Sequence, residues 1–126
     1  MQQLPILWQR LVIEGETCPR CAETGAAVLR AVERLKAELA PLGITPVLEI
    51  RALSAAEFHG NPAESNRIWI AGRPLEDWLH GQAGHSPCCS TCGTAECRTV
   101  EFDGTCYEAI PEELLIKAAL IAARAV

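Results

Sequence analysis

The hydrophobic pattern opens with a nearly unbroken apolar run, "LPILWQRLVI" at residues 4–13, which "EGET" halts. Its β-branched and large side chains predict a short strand buried on both faces, except at Gln9 and Arg10. A helix is expected next. Thr17 suits an N-cap, Pro19 suits the first turn, and Glu23 adds negative charge near the positive end. Val28, Val32, Leu35 and Leu39 then recur at helical spacing, with Arg30, Glu33, Arg34 and Lys36 on other faces. "APLG" ends the pattern, with Gly43 available as a left-handed cap.

"ITPVLEIRAL" (44–53) reads as a second strand with Pro46 near its start, and Ser54 with Glu57 forms a capping-box pattern for a short helical turn. After the loop "HGNPAESN", "RIWIAG" (67–72) reads as a third strand and "RPLEDWL" as a helical turn that packs Leu75, Trp78 and Leu79. Trp8, Trp69 and Trp78 are all expected in the core. A cysteine-rich stretch at 84–97 is expected to be a loop. "RTVEFDGTCYEAI" follows as a β-hairpin, with Asp103-Gly104 as its turn and Cys106 packed as a small apolar residue. Pro111 opens a last helix with Glu112 and Glu113 in its first turn and Arg124 in its last. Its apolar residues, Leu114, Leu115, Ile116, Leu120, Ile121 and Val126, do not share one stripe. Either the helix is buried or one face joins two copies in a homodimer.

The element order is β-α-β followed by β-β-α, an α/β arrangement with a parallel pair joined by a right-handed crossover. At 126 residues, 49% apolar and 21% charged, the chain fits one domain (1–126) with its own core. The net charge of −5, with Arg and Lys scattered, argues against nucleic acid as a partner. No signal segment and no membrane-length apolar run are visible, so a cytoplasmic protein without a membrane partner is expected. That placement alters the meaning of the seven cysteines. A reducing compartment favours metal ligation or redox work over structural disulfides, and an odd number cannot all pair within one chain.

Cys18 and Cys21 stand in "CPRC", where the first strand gives way to the first helix. The unpaired N–H groups and the dipole of a helix start stabilise a thiolate, so Cys18 should ionise below the free-thiol pKa of about 8.5. Cys21, one turn on, is within reach for an intramolecular disulfide, and Arg20 adds positive charge. A CxxC at this junction of a βαβ unit is a thioredoxin-like redox signature. The alternatives are half of a zinc site or inert packing.

The second cluster, C-C-x2-C-x4-C, consists of Cys88, Cys89, Cys92 and Cys97, with His85 and Pro87 before it. Three or four of these thiolates can surround zinc in a closed structural site, and copper(I) or mercury suits the same donors. Redox thiols or disulfides are the main rival. The spacing matches neither common ferredoxin run. His85 reads as an exposed loop residue rather than a ligand, and His59 and His80 carry no pattern.

Together, "WQRLVIEGETCPRC", "LAPLGITPVLEI", "ESNRIWIAGRPLEDWL", "SPCCSTCGTAECRTVEFDG" and "IPEELLIKAALIAA" resemble a small cysteine-rich thioredoxin-like family of unknown function. The resemblance covers almost the whole chain. It implies a thioredoxin-like βαβ–ββα sandwich with a cysteine-rich loop inserted before the last hairpin, and it puts Cys18 and Cys21 at the redox position. Ordinary thioredoxins carry a cis-proline just before the third core strand. Here Ser65 and Asn66 occupy that place and Pro62 lies four residues earlier, which leaves the two thiolates less shielded and more open to a metal ion.

The expectation is a thiol protein in which Cys18 attacks and Cys21 resolves, while Cys88, Cys89, Cys92 and Cys97 bind zinc or another thiophilic metal. Its partner would be a redox protein or the metal itself. The rivals are a metal-handling module without turnover and a structural zinc loop serving protein contact.

Overall fold

Alternation along the first strand decides which way the core lies. In the computed structural model, which describes residues 2–11, 19–54, 56–57, 66–87, 96–107 and 109–125, β1 runs Gln2–Leu11. Leu4, Ile6 and Trp8 are buried on one face, while Pro5 is exposed and Leu7 half-buried on the other. The strand is therefore amphipathic rather than buried on both sides. Gln9 departs from expectation in the other direction: it is buried, and its carbonyl accepts a hydrogen bond from Arg51 Nη1 at 3.3 Å.

The α1 helix (Pro19–Leu39) covers the apolar face of β1 with Thr24, Ala27, Val28, Ala31, Val32, Leu35 and Leu39, all buried. A 3-10 turn at Ala40–Leu42 follows, and Gly43 closes it at φ 71, where L side chains are strained. The chain then returns as β2 (Ile44–Leu53), parallel to β1 from Gln2 beside Ile44 to Leu11 beside Leu53. Ser54 and Glu57 form the expected reciprocal capping box, at 3.0 and 3.2 Å. These bonds hold the Glu57 carboxyl below its ordinary pKa.

Next comes β3 (Arg67–Ile70), which pairs antiparallel with β1. A two-residue turn at Ala71 (φ 53) and Gly72 (φ 81) leads into β4 (Arg73–Pro74), and α2 (Leu75–Leu79) follows at once. Positive φ at both central positions suits a tight hairpin, because its twist matches that of the strands. The first sheet therefore has the order β2-β1-β3-β4. Trp78 is anchored by its indole N–H to Ile70 O at 2.6 Å, and Leu75 and Leu79 are buried as predicted. Trp69, by contrast, lies on the face of β3 away from the helices, only half-buried, with the Arg67 guanidinium 4.6 Å from its ring centre.

A second, all-antiparallel sheet combines β5 (Gln82–Pro87), β6 (Glu96–Phe102) and β7 (Thr105–Tyr107) in that order. Asp103 (φ 53) and Gly104 (φ 78) form the predicted turn between β6 and β7. This sheet corrects two expectations. The hairpin at 98–110 does not extend the first sheet; the pair that does so is β3–β4, whose two-residue second strand is too short to carry a periodic signal. Nor does the cysteine stretch form one loop from 84 to 97. Gly84 through Pro87 and Glu96 through Cys97 are strand, paired across β5 and β6, so the connection narrows to residues 88–95.

The last helix, α3 (Glu112–Ala125), packs on α1 and α2 and buries Leu114, Leu115, Ile116, Ala118, Ala119, Ala122 and Ala123. Packing within the chain thus accounts for most of its many-sided apolar character. Glu112 ties the start of α3 to α1, accepting from Arg30 Nε and Arg34 Nη1 at 3.0 Å each. The architecture is mixed α/β, with two sheets and three α-helices among the described residues. None of those helices is long and apolar enough to cross a membrane.

Candidate functional site

The start of α1 is where the first thiol pair belongs. Pro19 is the first helical residue and Cys21 the third, so Cys18 directly precedes the helix in sequence; Cys18 itself, like Thr17, lies outside the described residues. The first turn of α1 carries no acidic residue, since Glu23 falls beyond it. The positive end of the helix is thus not neutralised by its own side chains, a setting that favours a thiolate.

A chain of buried hydrogen bonds fastens this end of α1. Thr24, one turn after Cys21, is fully buried, and its Oγ1 accepts from Asn66 Nδ2 and from the Ile110 backbone N–H, both at 3.0 Å. The Asn66 carbonyl in turn accepts the Trp8 indole N–H at 3.1 Å. Four separate pieces of chain therefore meet at Asn66 and Thr24: β1, α1, the approach to β3 and the approach to α3. Asn66 is buried and sits at φ 54, a left-handed conformation that Asn tolerates better than most residues. Trp8 reaches this position because Gly25 has no side chain. A Cβ there would lie 2.5 Å from Trp8 Cη2.

Beside this lattice runs a groove of about 340 Å³ between α1 and the ends of β1 and β2, lined by Trp8, Arg10, Ala22, Gly25, Leu29 and Ile50 among others. Its rim is unusually apolar for a surface, with Leu29 57% and Ile50 45% exposed. Arg10 supplies the charge. Its guanidinium lies 5.3 Å from the Trp8 ring centre, and its Nε is closed off from solvent with no hydrogen-bond partner among the described residues.

The second cluster is only partly within the described residues. Cys97 is a backbone member of β6, opposite Ser86 on β5, while Cys88, Cys89 and Cys92 lie outside them. His85, expected in a loop, is a β5 position opposite Arg98; His59 lies outside the described residues. Among the described residues no three His, Cys, Asp or Glu side chains converge on a point. Cys106 corrects an expectation: it is exposed on β7 rather than packed, because β7 is an edge strand and its face is open there.

Residues 4–119 match the family described as a domain of unknown function, DUF2703. The chain belongs to that family. A relative in Archaeoglobus fulgidus, an uncharacterised protein, is 47% identical over 113 residues, covering 90% of this chain and 82% of that protein. No solved structure matches. Within the family assignment, the residues that sequence reasoning missed are Thr24 and Arg10. The signal for Thr24 was available: a hydroxyl four residues before Val28, on an otherwise apolar helical stripe, needs a buried partner. Arg10 carried none, because a single cation at a strand end is ordinary.

Proposed function

We propose that this DUF2703 protein is a thioredoxin-like thiol–disulfide exchange protein acting through Cys18 and Cys21, with a soft-metal-binding turn formed by Cys88, Cys89, Cys92 and Cys97. One observation carries the reading. The CxxC falls at the start of the helix in a parallel β1-α1-β2 unit, within a sheet ordered β2-β1-β3-β4 and backed by a final helix beside α1. This strand order and crossover support reading the sheet as a thioredoxin-like core, with the pair beside a helix start, a setting that favours a thiolate.

In this reading the Cys18 thiolate attacks one sulfur of a substrate disulfide and expels the other as a thiolate. Cys21 then attacks the mixed disulfide, forming the Cys18–Cys21 bond and freeing the second thiolate. In this reading Asn66, buried at the position before β3, stands with Ser65 where thioredoxins carry a proline. It fastens α1 from within instead of forming an exposed docking edge.

The metal-binding part rests on register. Pro87 opposite Glu96 closes the β5–β6 ladder, so an eight-residue connection carries Cys88, Cys89 and Cys92 and returns to Cys97 on β6. Chain connectivity keeps four thiols within one short hairpin end, a donor set that suits zinc. The protein would work in a reducing compartment such as the cytoplasm, where these thiols stay free of structural disulfides.

The test combines anaerobic thiol titration, elemental analysis and the reduction potential of the Cys18–Cys21 couple. A potential near that of thioredoxins, about −270 mV, and its loss in Cys18→Ser with bound metal retained, is the expected result. Stoichiometric metal that disappears in Cys18→Ser, without disulfide turnover, would instead establish a metal-handling module. The second reading draws on the same density of thiols, and it predicts that both clusters load together.

A further inference from the structure

We infer that the groove beside α1 is a recognition site for a small apolar carboxylate, and, on the reading of Cys18 and Cys21 as an exchange pair, that the substrate is a low-molecular-weight disulfide bearing such a group. Three observations lead there independently of the thiol chemistry. The first is shape: about 340 Å³ is the small end of the range for ligand pockets, roughly 300–1,000 Å³. The helix wall includes Ala22, whose small side chain leaves room, and Gly25, against which Trp8 packs, and it begins at the residue after Cys21.

The second is surface character. Leu29 and Ile50 flank the opening at 57% and 45% exposed, and Trp8 forms part of the lining with a ring already stacked under a cation. Water covers Leu29 and Ile50 at a cost that an apolar ligand body would relieve.

The third is charge. Arg10 is the one charged lining residue of this groove among the described residues, on the same face of β1 as Trp8. Its Nε is shut off from solvent without a hydrogen-bond partner, and no carboxylate pairs with it among the described residues. A guanidinium stacked against a ring at the groove, with no carboxylate partner among the described residues, is complementary to a carboxylate. Its companions Arg30 and Arg34 are already engaged with Glu112, outside the groove.

With such a substrate the electron balance is complete. One substrate S–S bond breaks and one Cys18–Cys21 bond forms; the two protein thiols are oxidised, and the disulfide leaves as two thiols. No further reactant is consumed.

The experiment compares two aromatic disulfides: dithiobis(nitrobenzoate), which carries a carboxylate on each ring, and neutral dithiodipyridine. Reaction at Cys18 is followed by peptide mass spectrometry in wild type and Arg10→Gln. The expected result is a rate loss of about tenfold or more for the anionic probe, the size of a lost charge-assisted contact, with the neutral probe changed less than about twofold. Calorimetry with phenylbutyrate, which has no sulfur, is expected to show binding to wild type that Arg10→Gln and Ile50→Glu each weaken by a similar factor. Equal slowing of both disulfides would mean that Arg10 acts only on the thiolate; the groove assignment would fall and the exchange reading would survive. If Cys18 reacts no faster than free cysteine with either probe, the exchange reading fails. Phenylbutyrate binding then still decides the groove. No phenylbutyrate binding, or tighter binding of an acidic apolar peptide at the same residues, overturns the small-carboxylate assignment.

Discussion

Replacing Asn66 by Ala tests whether the buried lattice, rather than generic packing, holds the start of α1. Asn66 is 4% exposed and Trp8 3% exposed, so truncation strands the Trp8 indole N–H away from water. An unsatisfied buried donor costs about 1–3 kcal/mol. Thr24 Oγ1 loses one donor but keeps the Ile110 N–H, so that loss is nearer the net worth of an ordinary hydrogen bond, about 1 kcal/mol. Alanine at φ 54 adds a left-handed penalty of roughly 1–2 kcal/mol, part of which Asn avoids. The sum is about 3–5 kcal/mol, a large share of the roughly 5–15 kcal/mol that holds a domain together. Guanidinium unfolding should show a lower midpoint with an unchanged slope. Asn66→Gly, free of the backbone strain, should recover roughly 0.5–1 kcal/mol relative to Ala despite its looser unfolded chain. Amide exchange should quicken first in α1 near Thr24. If Asn66→Ala stays within about 1 kcal/mol of wild type, the lattice does not carry the weight assigned to it.

Two other outcomes are expected. Gly25→Ala gains about 1 kcal/mol of helix propensity but drives a methyl to 2.5 Å from a Trp8 ring tied to Asn66. Overpacking of about 1–3 kcal/mol should win, and a thermal midpoint at or above wild type would show that the ring moves freely. Glu112, bonded by Arg34 and Arg30, is held below the usual carboxylate range. Its contribution is complete above the unfolded carboxylate pKa and is lost as pH falls through its lower folded value. Stability measured against pH should therefore fall less steeply in acid for Glu112→Gln than for wild type, and identical acid slopes would sink the linkage.

The long elements were legible because their signals repeat. Val28, Val32, Leu35 and Leu39 marked α1 through about three turns, β2 was bounded by Gly43 and Ser54, and Asp103-Gly104 announced its turn. What escaped were features with no period. The two residues of β4 follow a turn whose first position, Ala71 at φ 53, is not a residue that advertises a hairpin. β5 was hidden because Gly84, His85, Ser86 and Pro87 have poor strand propensity; they pair because β6 supplies a partner. For the candidate site, the thiol motifs stood out in the chain itself. Thr24 is marked as buried by its helical stripe, but its partners, and the roles of Arg10 and Asn66, emerge only when segments distant in sequence are brought together.

The separate hydrogen-bond ladder of the second sheet has a consequence for how the cysteine spacing can change over time. In β6, Thr99 and Val100 are buried and Glu101 is exposed, and strand faces alternate every residue. A one-residue insertion within β6 would flip the residues on one side of it to the opposite face, a change that the burial of Val100 opposes. An insertion between Pro87 and Glu96 only lengthens a connection, and doubling such a length costs about 0.6 kcal/mol in closure entropy. The hairpin therefore acts as a fixed handle on a variable tip. The number of residues between thiols can drift from one relative to the next while α1 and its CxxC remain untouched.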